Sequence, residues 1–240
     1  MTRIFAVARR ELSAYFATPV AYIVVIFFLV ITSAWFFFVN GFFAQDIASL
    51  RGYFTLWPIV FVALIPAITM RSWAEERRQG TAEILLTLPA RERELVIGKF
   101  LGSLGLLVIT MLLTVPLPLS VVALGSFESG QIAGQYVGAL LLGCTGLAAG
   151  MLLSALSSNQ ISAFLLGVVF LLFITMIGQV PGALALPGWL AAAFTWISLD
   201  YHFDSFRKGV FDSRDALFFI VLTLACLYAN TKVLFLRRFR

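Results

Sequence analysis

The sequence predicts an all-α membrane protein with six transmembrane helices. Three observations lead there. Only 12% of the 240 residues are charged and 61% are hydrophobic, against about a quarter charged and a little under half apolar in a soluble domain. With a mean hydropathy of +0.98, the chain lacks the polar side chains to cover its own apolar surface, so lipid must cover it. Residues 12–45, 52–70, 100–127 and 129–199 carry no Asp, Glu, Lys or Arg, and about 20 apolar residues in a helix suffice for one crossing. The basic residues, finally, segregate to one side of a six-span arrangement. Helices are required throughout, since hydrocarbon offers an open backbone no hydrogen-bond partner.

Taken in order, spans are expected at residues 20–39, 54–70, 100–124, 134–156, 161–180 and 216–236. The uncharged window of the last, 216–231, is short, but Lys232 can snorkel and the apolar run continues to Leu236. Arg3, Arg9 and Arg10 precede the first span. Arg71, Arg77, Arg78, Arg91, Arg93 and Lys99 lie between the second and third, and Lys232, Arg237, Arg238 and Arg240 end the chain. These are 13 of the 17 basic residues, and Arg51, Arg207, Lys208 and Arg214 take the other side. The positive-inside rule puts the richer side, with both termini, in the cytoplasm. It also accounts for the pI of about 9.6 without nucleic acid as a partner.

The apolar stretch 181–199 could pass for a seventh span. Pro181, Gly182, Pro187 and Gly188 interrupt its first half, and a seventh crossing would carry Arg237, Arg238 and Arg240 outside. Residues 181–215 are therefore expected to form an external re-entrant or interfacial segment, with Trp189 and Trp196 suited to the membrane interface. Cys144 and Cys226 fall within spans and read as small apolar packing groups. The apolar run after Arg10 is too long for the h-region of a cleaved signal and lacks an obvious small-x-small cleavage site.

At 100° per residue, Ile4, Phe5, Ala8, Leu12, Tyr15 and Phe16 share one arc of a helix. Arg3, Arg10 and Ser13 lie opposite, and Arg9 and Glu11 flank the arc. This is the pattern of a helix lying in the membrane surface, its Arg heads toward lipid phosphates. Thr18-Pro19 should separate it from the first span, because proline disfavours a continuous helix. Residues 1–18 thus read as an interfacial element.

The cytoplasmic segment 71–94 is the most informative. Residues 72–79 suit a short charged helix, Gly80 a left-handed C-cap, and Thr81 the cap of a second short helix with Glu83 in its first turn. Ile84, Leu85, Leu86 and Leu88 give that helix an apolar side, and Pro89 stops it. An apolar helix side with no obvious core to fill either docks a partner or packs on the ends of its own spans.

The run Glu76-Arg77-Arg78-Gln79-Gly80-Thr81-Ala82-Glu83-Ile84-Leu85-Leu86-Thr87-Leu88-Pro89 resembles the signature of ABC-2-type transporter permeases. Over nearly its whole length the chain resembles the gliding-motility-associated and nitrous-oxide-reductase-maturation branches of that family. The resemblance implies one transmembrane domain over residues 1–240 of a multi-pass inner-membrane subunit. It implies that the loop is a coupling helix docking on a separate ATP-hydrolysing subunit, through Glu76, Gly80, Thr81, Glu83, Leu85, Leu86 and Pro89. It makes the surface helix, with Arg3, Phe5, Arg9, Arg10, Leu12 and Phe16, the family's elbow helix.

Other chemistry is missing from the sequence. The one Gly-Lys pair, Gly98-Lys99, is followed by Phe100 and has Arg93 where a Walker A glycine would stand. ATP and Mg are therefore expected only at a partner ATPase, with no cofactor or metal on this chain. The single histidine, His202, lies in Asp200-Tyr-His-Phe-Asp204. With no second imidazole to complete a metal site, it is expected in a solvated loop. The spans as drawn hold no Asp, Glu or His, which argues against ion coupling and intramembrane proteolysis.

Ala139, Gly143, Gly146 and Gly150 share one face of the fourth span, fit either for packing within the chain or for a dimer contact. Pro58, Pro66, Pro116 and Pro118 can kink the second and third spans. Six spans and the resemblance imply half of a permease dimer, homomeric or heteromeric, with two ATPase subunits. The small face of the fourth span and the first, second and fifth spans are candidate seams. Such a chain would serve substrate export, or act as a non-transporting anchor that passes ATPase motion to a periplasmic partner.

Overall fold

Thr18 has extended backbone (φ −125°, ψ 154°) and Pro19 occupies the first helical position after it. The missing N–H of Pro19 costs nothing there, and the chain turns from a first helix into a second. In the computed structural model, which describes residues 2–42, 50–78, 80, 92–122, 129–184 and 187–238, these are α1 (Thr2–Phe16) and α2 (Pro19–Ala34). A π-helical turn, Trp35–Val39, extends α2. There follow α3 (Arg51–Thr55), α4 (Trp57–Thr69), α5 (Arg71–Arg78), α6 (Glu92–Thr114), α7 (Pro116–Val122) and α8 (Ser129–Leu156). The chain ends with α9 (Gln160–Met176), α10 (Val180–Leu184), α11 (Gly188–Ile197), α12 (Leu199–Arg207) and α13 (Ser213–Arg238).

Among the described residues six stretches are long and apolar enough to cross a membrane. They are Pro19–Val39, Trp57–Arg78, Glu92–Val121, Gly130–Leu156, Gln160–Gly182 and Ser213–Leu236. All six expected spans are present. The ends differ, because the second, third and last helices run past the lipid-compatible sequence and carry Glu75, Glu76, Glu92, Glu94, Lys99 and Asp215 within them. The spans as helices therefore do hold ionisable groups, all near their ends. Segment 181–215 forms short helices rather than a crossing, and Pro187 caps α11 with extended-side backbone (φ −55°, ψ 142°).

Burial separates core spans from peripheral ones. In α4 and α8, 72% and 67% of the apolar window is buried; in α13, α2 and α9 the share is 17%, 22% and 28%. Helix α8 is the hub, packed on α4, α6, α9, α12 and α13. Its small residues make this possible. A Cβ at Gly143, Gly146 or Gly150 would overlap Leu107, Ile65 or Thr69, and Ala139 is fully buried. That face is consumed inside the chain, so the fourth span's small stripe is no seam for a second copy. The second span is mostly buried as well, with Ile59 left exposed. Toward one end an aromatic cluster joins α2, α4 and α8: Trp57 meets Phe28 at 5.0 Å and Tyr136 at 5.6 Å, both edge-on, the arrangement ring quadrupoles favour.

Candidate coupling site

The basic end of the bundle is built around Lys99. Counted among the basic residues between the second and third spans, it is nevertheless only 3% exposed. Its Nζ lies 2.5 Å from Glu11 Oε1 on α1 and 2.7 Å from Glu76 Oε1 on α5. The Trp73 ring centroid is 4.9 Å away. An ammonium can be buried when paired and hydrogen-bonded; here two carboxylates and an aromatic face do that. Lys99 thereby joins the surface helix, the charged helix after the second span, and the third span.

The surface helix is held by shape as well. Gly98, Gly102 and Gly105 repeat at helical spacing on α6, and α1 lies in the groove they leave. A Cβ at Gly98 would come within 2.7 Å of Val7 Cβ, and one at Gly102 within 2.6 Å of Glu11 Cβ. Along α1, Ile4, Val7, Ala8, Glu11 and Leu12 are half-buried and Tyr15 is buried, while Arg3, Arg9, Arg10 and Ser13 are exposed. The apolar arc is thus divided. Phe5, expected on it, is 71% exposed, because the groove takes the neighbouring side of the helix. Tyr15 donates its hydroxyl to Ile68 O at 2.9 Å. Burial, and then the charge of Glu11, push its phenol well above the ordinary value, so it remains a donor.

Helix α5 is fastened at both ends. Ser154 Oγ of α8 accepts from Trp73 N and Ala74 N, each at 3.2 Å, and donates to Met70 O at 3.2 Å. One hydroxyl has one proton and two lone pairs, so Ser154 is saturated and supplies two of the amide partners that a helix start lacks. At the other end Arg77 donates to Ser157 O at 2.5 Å and to Ala155 O. A cation there suits the negative end of the α8 dipole. Arg71 Nη1 adds a 2.9 Å bond to Thr18 Oγ1, beside the α1–α2 break.

Gly80 follows with φ +69° and accepts this left-handed backbone without a Cβ penalty. Its N–H reaches Arg77 O at 3.1 Å, closing α5 as a C-cap. Of the expected ATPase-contact residues, the structure places Glu76 on the Lys99 junction and Gly80 at the exit of α5. Thr81, Glu83, Leu85, Leu86 and Pro89 lie outside the described residues. Sequence reasoning missed Lys99, Glu11, Ser154 and Arg77. The available signal was the glycine spacing 98, 102 and 105 around a lone lysine, which marks a close helix contact beside a charge.

At the opposite end His202 is not in a solvated loop. It is 3% exposed, with Nδ1 2.7 Å from Asp215 Oδ1 and Nε2 2.8 Å from Trp196 O. A carbonyl can only accept, so Nε2 is the donor to Trp196 O. The ring stacks on Phe218 at 3.8 Å. The side chain is buried because α12 folds back onto the first turns of α13, a tertiary contact that its polar neighbours in sequence disguise.

Six apolar spans with a clamped helix leading out of one end are the architecture of a polytopic membrane protein. Residues 39–236 match the ABC-2 family transporter protein family, and the chain belongs to that family. Over 145 residues, 60% of its length, the chain is 32% identical to the probable multidrug ABC transporter permease YbhR of Escherichia coli strain K12. The protein of the same name in Escherichia coli O157:H7 matches equally. The matched region spans 39% of each relative's own length.

Proposed function

We propose that this chain is the membrane half of an ABC transporter whose ATP and Mg are handled by a separate ATPase subunit, and that the two are coupled through the cytoplasmic segment 71–94. The observation that supports this best is the mounting of α5. Its start is held by Ser154, its end by Arg77, and its side by Lys99, so a push on the loop beyond Gly80 is delivered to α1, α6 and α8 together. In this reading both termini face the cytoplasm of an inner-membrane protein, and α1 is an elbow helix with Arg3, Arg9 and Arg10 toward lipid phosphates. A second permease chain, identical or related, completes the route, with α2 and α9 as its seam. Both flank α4 and expose large apolar side chains such as Ile26 and Val169.

The export function is favoured by family membership and by the Escherichia coli relatives' name, that of a probable multidrug permease. The gliding-motility-like or nitrous-oxide-reductase-maturation branch is the narrower placement, supported by the run 76–89. A non-transporting anchor, driving a periplasmic partner, uses the same mounting. Replacing Leu85 and Leu86 with Asp should abolish co-purification of the ATPase while leaving membrane insertion intact; retained co-purification would overturn the coupling assignment. ATP-driven movement of solute in vesicles carrying permease and ATPase separates export from anchoring.

A further inference from the structure

At the end opposite Lys99, α11, α12 and α13 line a cleft of about 770 Å³. Its two parts differ in chemistry. One wall is an apolar stripe of α13, with Phe218, Leu222 and Ala225 at i, i+4 and i+7 and with the exposed Leu217 and Val221 beside them. The rim carries both signs of charge: Lys208 and Arg214, Asp204 and Asp212. From Asp215 to Ala225 the helix rises about 15 Å at ~1.5 Å per residue, half of a hydrocarbon core of about 30 Å. The apolar wall is therefore one leaflet deep and hangs from a polar rim. Trp196 and Tyr201, 64% and 52% exposed, stand at that rim, as amphipathic rings do at a membrane boundary.

We propose that this cleft binds a glycerophospholipid with a zwitterionic ammonium–phosphate headgroup, its acyl chain along α13. Arg214 is exposed and, among the described residues, its side chain makes no ion pair; a guanidinium fork fits a phosphate. Among the described residues the Asp212 carboxylate accepts the Arg214 backbone N–H alone, at 2.8 Å, which leaves capacity for an ammonium. The faces of Trp196 and Tyr201 suit an ammonium too. A purely anionic headgroup would set further negative charge beside Asp204 and Asp212. Burial alone would raise the Asp204 carboxyl, but hydrogen bonds from Lys208 and Arg207 outweigh it and hold the group below its ordinary value, so it stays ionised. The cleft is also built before a ligand arrives. His202 ties α12 to α13 through Asp215 and to α11 through Trp196 O, and stacks on Phe218 of the apolar wall; a preformed site spends little binding energy on ordering. The site lies in the leaflet at this end and is independent of how the chain couples to ATP.

The test uses the full chain in nanodiscs of equal phosphatidylethanolamine and phosphatidylglycerol, released into mild detergent, with retained lipid counted by native mass spectrometry. A phosphatidylethanolamine is expected to be retained in preference to phosphatidylglycerol. Arg214→Glu should lower that retention about tenfold, the scale of one lost charge-assisted contact. Val221→Trp, which fills the apolar wall without touching the rim, should lower it as well. Circular dichroism and elution volume report whether each variant folds. Should either variant fail to fold, the lipid preference of the unaltered protein decides. Equal retention of the two lipids, or retention unchanged in both folded variants, overturns the proposal.

Discussion

The Lys99 ammonium sits 2.7 Å from Glu76 Oε1 and so ties α6 to the last turn of α5, immediately ahead of Gly80. Its second partner, Glu11 at 2.5 Å, brings in the surface helix. The charge that the sequence offers as a loop cation is the fastening point of the whole basic end.

Removing that cation leaves two carboxylates without their partner. Lys99→Met is expected to cost about 2–3 kcal/mol, less than the ~3–5 kcal/mol of a fully buried broken pair because both carboxylates keep some exposure. The triple variant Lys99→Met, Glu11→Gln, Glu76→Gln should recover most of the loss, since no uncompensated charge remains. Apparent melting temperature in detergent measures both. An unchanged melting temperature in Lys99→Met would contradict the cluster.

The groove on α6 should be as necessary as the charges. Gly102→Leu places side-chain atoms where Glu11 Cβ and Ala8 O now sit, at 2.6 and 3.0 Å from a Cβ position, and overpacking of this kind costs ~1–3 kcal/mol. Because α1 is the movable partner, hydrogen exchange should show lost protection across α1 with α8 unaffected. Equal protection of α1 in the variant would mean that the glycines are incidental.

Gly80 bears on the direction of the chain and not on packing. Among the described residues a Cβ there meets nothing within 4 Å, but φ +69° costs a β-branched residue about 1–2 kcal/mol. Gly80→Val should therefore leave the melting temperature of the bundle near that of the unaltered protein while reducing permease-dependent ATPase activity, and Gly80→Asn, which tolerates the left-handed region, should be milder. Undiminished ATPase activity in Gly80→Val would separate this turn from coupling.

Topology can be read by labelling. Ser205, half-buried on the wall of the cleft, is a poor reporter, whereas Ser213 is exposed at the start of α13. With the richer basic side in the cytoplasm, Ser213→Cys should react with an impermeant thiol reagent from outside, in a background lacking Cys144 and Cys226. Reaction only after rupture of the inner membrane would reverse the orientation.

The bundle was legible because its driving force is compositional. An apolar run of span length between charges has one way to satisfy its backbone in lipid, so the six spans, the Thr18-Pro19 break and the Gly80 cap could all be read from local order. The loop motif could be read as a family resemblance. Neither kind of signal reports what a helix face touches. Ala139, Gly143, Gly146 and Gly150 mark a close approach in either a monomer or a dimer. Only the positions of Phe61, Ile65, Thr69 and Leu107 show that the space is filled from within.

By itself, then, the sequence determined that this protein spans the membrane six times, where its first helix ends, and which family it resembles. Those follow from residue order along one chain. The tertiary structure alone decided that Lys99 pairs with Glu11 and Glu76, 88 and 23 positions away, that Ser154 caps α5, and that His202 is buried against Asp215. Each is a polar group whose partner lies on a different helix. Burial makes such a group depend on that partner, and helix packing, which local pattern does not encode, chooses which partner it meets.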